Sequence, residues 1–143
     1  MNDFLDKLYK TFKYYDGITR ANIRKVGFNI SPVSLLQPIF VVGCSRAGTT
    51  LVYKTFSEPK ELGSLQKETH DFWASLHPPE ERAWSSHEIP PNLACEADRQ
   101  LACRLFYSAT GKRRIVDKNN QNGLSIPYLY ALFPDAHFVF IKR

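Results

Sequence analysis

The segment with the clearest chemical potential is GCSRAGTT, residues 43–50, whose two glycines have the spacing of a phosphate-binding loop. It follows the apolar run PIFVVG, which reads as a buried strand, and it precedes LVYKTFSE, a predicted helix that ends before Pro59. In such a strand-loop-helix unit, backbone N–H groups converge on an anion at the helix N-terminus. We therefore expect an anion site here, with Gly48 allowing close approach of the backbone and Thr49 and Thr50 capping the helix.

The position of the positive charge in this loop argues against ATP or GTP hydrolysis. A hydrolysing loop has Lys directly after the second glycine, where this chain has Thr49. The cation is instead Arg46, two residues before Gly48, at the crest of the loop. A nucleotide kinase is thus the less favoured alternative, and an ordinary tight turn between strand and helix also fits the glycine spacing.

Two separated segments, PIFVVGCSRAGTT and DKNNQNGLSIPYLYALFPDAHFVFIKR, together resemble the sulfotransferase family. The resemblance covers residues 38–143 with a divergent middle. Members of that family transfer a sulfuryl group from 3′-phosphoadenosine 5′-phosphosulfate (PAPS) to a hydroxyl or an amine. This resemblance implies that Arg143, after the last strand, would bind the 3′-phosphate of PAPS. The 5′-phosphosulfate would be bound by the loop residues Arg46, Ala47, Gly48, Thr49 and Thr50.

Sulfuryl transfer also needs a general base, because the acceptor hydroxyl loses a proton as it attacks. The stretch Lys67-Glu68-Thr69-His70 resembles that of the family branch whose base is Glu, which implies Glu68 as the base and leaves His70 as the second candidate. Lys67 would contact the sulfuryl oxygens and keep Glu68 ionised. Lys118, in the turn after the RRIVD strand, is expected near the donor. A solvated run of charges is the alternative explanation of both segments.

No metal is expected in this site. The four histidines and three cysteines have no paired metal-ligand spacing, and the resemblance implies that arginine and lysines supply the positive charge around PAPS. The basic cluster at residues 112–114 precedes a strand, so we expect it to be solvated surface at the opposite edge of the sheet.

Strands that alternate with helices predict an α/β fold, in which a P-loop-type parallel sheet is flanked by helices. After the loop and its helix, the pattern predicts a short strand over 63–68, a helix over 93–107, a strand from about 114, a helix from about 122 to 132 and an apolar strand over 137–142. The 93–107 helix carries an apolar stripe of Leu93, Ala97, Leu101 and Leu105, which we expect to pack in the core. Cys95 and Cys103 are expected to be buried thiols.

The N-terminal region predicts an amphipathic helix over residues 3–15, followed by a linker over 16–37. Its apolar residues Phe4, Leu5, Leu8, Tyr9 and Phe12 are expected to pack in the core. Docking on a membrane surface through the lysines is the alternative. The predicted organisation is therefore an N-terminal helix and linker, residues 1–37, and a partial sulfotransferase domain, residues 38–143.

Composition excludes other classes. With 143 residues, 43% hydrophobic and 23% charged, the chain is neither disordered nor fibrous. The net charge of +5 suits an anionic partner. Nucleic acid is disfavoured, because the aromatic residues fall in presumed core segments. An odd cysteine count, with no signal peptide or membrane span, predicts a cytoplasmic protein.

The resemblance implies that more of the domain would follow Arg143, because family members continue well past this strand. We therefore expect an amino-terminal part of a sulfotransferase, with reduced order over 134–143 or a homo-oligomer that covers the exposed edge. The partners would be the nucleotide donor and an acceptor whose class these segments do not specify. A module that binds nucleotide without turnover is the competing hypothesis.

Overall fold

The computed structural model describes residues 2–82 and 86–142. Its helices are α1 (Asn2–Ile30), α2 (Thr49–Ser57), α3 (His70–Leu76), α4 (Glu96–Thr110) and α5 (Ile126–Leu132). Its strands are β1 (Ile39–Gly43), β2 (Val116–Lys118) and β3 (His137–Ile141). Three short 3₁₀ helices, η1 (Pro79–Arg82), η2 (Pro91–Leu93) and η3 (Asn120–Leu124), lie in the connections.

The three strands form a parallel sheet in the order β2-β1-β3, flanked by helices, which confirms the α/β prediction. β1 lies in the centre and is buried along its whole length. Its side chains alternate between two cores, because successive residues of a strand point to opposite faces. Phe40 and Val42 pack with Trp73 and Phe106, whereas Val41 packs on the face that contains Tyr53. Burial on both faces explains why the β1 sequence is continuously apolar.

β3 lies at an edge of this sheet and, in the part of the chain that the structure describes, is paired on one side only. Its sequence is as apolar as that of β1, yet Phe140 is 62% exposed. The apolar run therefore predicted the strand, but it did not distinguish an edge from the centre.

The predicted strand over 63–68 is wrong. Gly63 alone forms a parallel bridge, with Ile115, through hydrogen bonds to Arg114 and Val116. Gln66, with φ 57°, then takes the left-handed conformation, which a strand cannot contain. The segment is therefore a loop, and its later residues point toward the candidate site.

The α4 prediction was correct in type but wrong in face and start. The helix starts at Glu96, and its buried face includes Asp98, Ala102 and Phe106, one position after the predicted stripe. Leu101 is 47% exposed. The buried carboxylate of Asp98 on this face is satisfied, because its Oδ2 accepts a hydrogen bond from Tyr128 Oη at 2.8 Å and lies 2.8 Å from His77 Nε2.

Only one of the two cysteines predicted to be buried has that environment. Cys103 is buried in the core, and burial raises the pKa of its thiol. Cys95 is exposed, because it precedes α4 and does not lie on the buried face of the helix.

Two further boundaries moved. β2 begins at Val116, two residues later than predicted. The helix expected over 122–132 is divided at Ser125 into η3 and α5. Pro127 in the first turn of α5 explains the division, because proline cannot donate a backbone hydrogen bond to a preceding turn.

The N-terminal region differs most from the prediction, because α1 continues to Ile30 through the segment expected to be a linker. Gly17 and Gly27 each cost only about 1 kcal/mol inside a helix, and the first proline is Pro32, before which a helix usually ends. The expected core packing of its apolar residues is also wrong: Phe4 is 70% and Phe12 72% exposed. Within residues 2–82 and 86–142, no helix is long and apolar enough to cross a membrane.

Candidate active site

The glycine loop leaves the carboxyl end of β1, between the ends of β2 and β3. Gly43 pairs with Ile141, and a Cβ on Gly43 would lie 2.7 Å from the Ile141 backbone oxygen. This position therefore needs glycine, because β3 approaches the backbone too closely for a side chain. Since all three strands are parallel, the residues that follow them gather at this one edge of the sheet.

α2 begins at Thr49, and Gly48 is its N-cap residue with φ 92°. No side chain caps the helix, so the prediction that Thr49 and Thr50 act as caps is wrong. A Cβ on Gly48 would meet nothing within 4 Å, so the left-handed backbone is what requires glycine here. Close approach of this backbone to an anion stays a prediction.

Arg46 lies at the crest of the loop, exposed to solvent, with its backbone in the left-handed region at φ 66°. The Ala47 N–H donates to the Cys44 carbonyl oxygen at 3.1 Å, which closes the turn around it. A non-glycine residue in this conformation carries strain of order 1 kcal/mol. The loop thus holds an arginine in an unfavourable conformation at the point where the motif expects a cation.

Lys118, the last residue of β2, is not a solvated lysine. Only 5% of its side chain is exposed, and Nζ donates to Oε1 of Glu68, whose side chain is 46% exposed. Both line a cavity of about 130 Å³ together with Thr50, Tyr53 and Lys67. The structure therefore brings together three of the predicted site residues, Lys67, Glu68 and Lys118, beside the first turn of α2.

His70, the second candidate for the base, begins α3 on the exposed side of this cluster. Its Nδ1 lies 3.9 Å from Glu68 Oε2, and its Nε2 lies 3.1 Å from Asp71 Oδ1. His70 does not line the 130 Å³ cavity. It is a neighbour of Glu68 and faces solvent.

The residue that organises this cluster, Asp117, was missed by sequence reasoning. It is 1% exposed, and its carboxylate accepts hydrogen bonds from Thr69 Oγ1 at 2.7 Å, Trp73 Nε1 at 3.0 Å and Asn122 Nδ2 at 3.1 Å. Burial raises the pKa of Asp117, and these donors partly offset that rise. The carboxylate thereby holds Thr69, the residue after Glu68, and Asp117 itself directly precedes Lys118 in β2. An acidic residue inside a predicted strand of the parallel sheet was the available signal.

Tyr53, on α2, is a second residue that the sequence did not single out. Its Oη accepts a hydrogen bond from Ser64 Oγ at 2.6 Å, and burial raises the pKa of the phenol. Ser64 and the backbone of Gln66 and Lys67 partly offset this rise in the pKa of Tyr53. Tyr53 thus holds the loop that carries Lys67 and Glu68 against α2.

A larger cavity, of about 340 Å³, lies on the other side of the glycine loop. Gly43, Cys44 and Ser45 form one side of it, and Asn120, Gln121, Gly123, Leu124 and Phe140 form the rest. Thr49 Oγ1 donates to Asn120 Oδ1 at 3.3 Å, which links the start of α2 to η3. The loop therefore separates a small charged cavity from a larger and mostly apolar one.

Arg143 lies outside the described residues, so its role stays a prediction, although β3 leads toward the same edge as the loop. The cluster Lys112, Arg113 and Arg114 is exposed before β2, at the opposite edge, as predicted. Within the described ranges, no group of three His, Cys, Asp or Glu side chains could hold a metal ion.

Comparison with known proteins adds one finding. A model of the sulfotransferase family matches residues 38–143, from the residue before β1 through all three strands. No curated protein and no solved structure matches the chain. The matched region contains the loop, both cavities and the Lys118–Glu68 pair, and it excludes α1.

Proposed function

Because this chain belongs to the sulfotransferase family, we propose that its site transfers a sulfuryl group from PAPS to a hydroxyl or amine acceptor. Membership of the family supports sulfuryl transfer in general. That PAPS is the donor, and that the residues named below have these roles, is our proposal. The observation that carries these roles is the placement of Lys67, Glu68 and Lys118 with Thr50 around one cavity, next to the glycine loop.

The residues present suit a donor with several negative charges. Backbone N–H groups of residues 46–50 and the Arg46 guanidinium would hold the 5′-phosphosulfate, as helix N-termini and arginines hold phosphates elsewhere. The 340 Å³ cavity, with Leu124 and Phe140 among its lining residues, would take the adenosine. Arg143 would bind the 3′-phosphate. This assignment places the sulfuryl group at the boundary between the two cavities.

The chemistry follows from charge. The acceptor oxygen or nitrogen forms a bond to sulfur, the bond between sulfur and the phosphate oxygen breaks, and 3′-phosphoadenosine 5′-phosphate (PAP) leaves with the bonding electrons. Arg46 and Lys67 would neutralise the developing charge, which is the main contribution a protein makes to such transfers. The acceptor proton would pass to Glu68, the carboxylate that lines the small cavity.

The Lys118–Glu68 pair gives this proposal a specific sequence of contacts. Before the donor binds, the Lys118 ammonium is neutralised by Glu68. We propose that donor oxygens take over Lys118, which frees a carboxylate oxygen of Glu68 to accept the proton. The buried lysine would thus link arrival of the donor to availability of the base.

The same pair also favours a second candidate function, a module that binds the nucleotide without turnover. Oε1 of Glu68 is already engaged by Lys118, and an ammonium that stayed in this pair would make the carboxylate a weak base for the acceptor proton. Binding would survive in that case, whereas transfer would not.

Two measurements on the full chain separate these functions. Isothermal titration with PAP tests the donor site. Transfer of a labelled sulfuryl group from PAPS to a phenol, an amino sugar, an oligosaccharide or a tyrosine peptide tests catalysis. Arg46→Ala should weaken PAP binding at least about tenfold, whereas Lys112→Ala, an equal charge change at the opposite edge, should not. PAP binding without transfer supports the module. If ATP binds in a magnesium-dependent manner and PAP does not bind, the chain is a nucleotide kinase and our assignment is wrong.

A further inference from the structure

α1 carries an exposed apolar stripe on one side, in two runs over residues 4–15 and 23–30. At 100° per residue, aromatic and aliphatic side chains recur there every three or four positions within each run, and a polar turn that includes Asp16 and Thr19 separates the runs. They are exposed to between 56% and 83% of their area at Phe4, Leu5, Leu8, Tyr9, Phe12, Tyr15, Ile23, Val26 and Ile30. A helix of 29 residues is about 43 Å long. The exposed apolar area of the stripe is therefore much larger than that of the single hydrophobic side chains common on protein surfaces.

The opposite side of α1 attaches the helix to the rest of the protein. Phe28 is 5% exposed in the main core, and Arg24 NH1 donates to the Ser108 carbonyl oxygen of α4 at 2.7 Å. Because Phe28 and Arg24 lie on the side away from Phe12 and Val26, the stripe points outward. Within residues 2–82 and 86–142, no segment packs over this apolar face.

The charges of α1 indicate which kind of partner suits the apolar stripe. Residues 4–30 contain six Lys or Arg and two Asp. Lys7 and Lys25 border one edge of the stripe, and Lys13 and Arg20 border the other, where Arg20 is 2.8 Å from Asp16. Long basic side chains at the borders of an apolar face can extend toward phosphates while their stems lie on lipid.

We propose that α1 binds the surface of an anionic lipid bilayer, with the stripe among the acyl chains and the basic borders at the lipid phosphates. Aromatic residues in the stripe suit this depth, where one end of a side chain is apolar and the other is hydrated. A second copy of the chain is a poorer partner, because two stripes face to face would bring basic borders together. The proposal concerns α1 alone and is independent of the transfer chemistry.

Flotation of the full chain with vesicles tests the proposal. We expect binding to phosphatidylcholine vesicles that contain one-quarter phosphatidylserine, at least about tenfold tighter than to phosphatidylcholine alone, and weaker in high salt. Phe12→Glu should reduce this binding at least about tenfold, since it places a charge in the stripe. Tyr130→Glu is the matched control, an aromatic residue 55% exposed on α5, and should bind as the wild type does.

A second variant tests the charge term separately. Lys13→Gln combined with Lys25→Gln removes one cation from each border and should weaken binding to the anionic vesicles about tenfold, with little effect on phosphatidylcholine alone. Absence of binding to anionic vesicles overturns the proposal, as does equal binding by Phe12→Glu and Tyr130→Glu. A dimer in sedimentation velocity that Phe12→Glu dissociates, without vesicle binding, would assign the stripe to a contact between copies instead.

Discussion

Replacing either partner of the Lys118–Glu68 pair removes the same ion pair, yet we expect unequal effects on stability. The Lys118 side chain is 5% exposed and that of Glu68 is 46% exposed. Glu68→Gln leaves a buried ammonium with a neutral partner, whereas Lys118→Met leaves a carboxylate that water already reaches. The asymmetry follows from burial and not from the strength of the pair.

The magnitudes lie between two limits. Breaking a fully buried pair by removing one partner costs about 3–5 kcal/mol, and an exposed pair is worth at most about 1 kcal/mol. With one partner buried, the other half-exposed, and the glutamine oxygen still able to accept a hydrogen bond, we expect Glu68→Gln to lower the free energy of unfolding by about 1–2 kcal/mol. Lys118→Met should stay within about 1 kcal/mol of the wild type, because methionine fills the space and removes a desolvated charge.

Urea unfolding followed by far-UV circular dichroism measures both values, provided the slopes with denaturant agree. The double variant should resemble Lys118→Met, since Glu68 then has no buried charge to neutralise. Titration with PAP adds a change of opposite sign: Glu68→Gln should bind at least as tightly as the wild type, and Lys118→Met about tenfold more weakly. If Glu68→Gln proves no less stable than Lys118→Met, the burial argument is wrong. If the two variants bind PAP equally, Lys118 does not pass from Glu68 to the donor.

Three other predictions concern single positions in or beside the loop. Asp117→Ala should cost about 3 kcal/mol in urea unfolding, because three buried donors lose their acceptor, whereas Asp117→Asn keeps most of the volume and should cost less. Burial raises the pKa of Asp117 above its ordinary 3.8. Between these two pKa values the folded chain binds more protons than the unfolded chain. The wild type should therefore gain stability relative to Asp117→Asn as the pH falls toward about 4. Gly43→Ala should destabilise by about 1–3 kcal/mol, since its Cβ would meet the Ile141 oxygen at 2.7 Å. Arg46→Gly should leave stability unchanged or raise it by up to about 1 kcal/mol, because φ is 66° there, while PAP affinity falls at least about tenfold.

Each of these has a contrary outcome. Equal costs for Asp117→Ala and Asp117→Asn at every pH would mean that the network does not depend on the acceptor oxygens. A neutral Gly43→Ala would mean that β3 does not approach β1 as described. Unchanged PAP affinity in Arg46→Gly would remove the loop arginine from the donor site.

The sequence predicted best where one local pattern had one structural solution. The run at β1, the loop and α2 were all found, because a short, β-branched apolar segment before a glycine loop has few alternatives. The face of α4 was predicted wrongly because two apolar patterns compete in its sequence: the stripe from Leu93 was chosen, whereas the buried face combines Ala102 and Phe106 with the polar Asp98. The linker prediction failed because α1 continues through the polar turn around Asp16 and Gly17 and contains no breaking residue until Pro32.

The candidate site was predicted in part for the same reasons. Motif resemblance found Lys67, Glu68 and Lys118, which the fold brings to one cavity. It did not find Asp117 or Tyr53, because their positions depend on contacts with Thr69 and Ser64 from a separate segment. These contacts can be predicted only when the path of the loop over 64–69 is known. A strand over 63–68, as expected, would have placed Ser64 and Thr69 differently.

The central position of β1 has a consequence for folding during synthesis. Ile39 pairs with Val116 on one side and His137 on the other, so both pairings close loops of roughly 80 and 100 residues. At about 5–20 residues per second, IFVVG leaves the ribosome roughly 5–20 s before β3 exists to pair with it. β1, which is buried along its whole length in the folded chain, is therefore the strand that stays unpaired for longest during synthesis. We therefore expect a substitution in β1 to increase aggregation of nascent chains before it measurably lowers the stability of the folded protein.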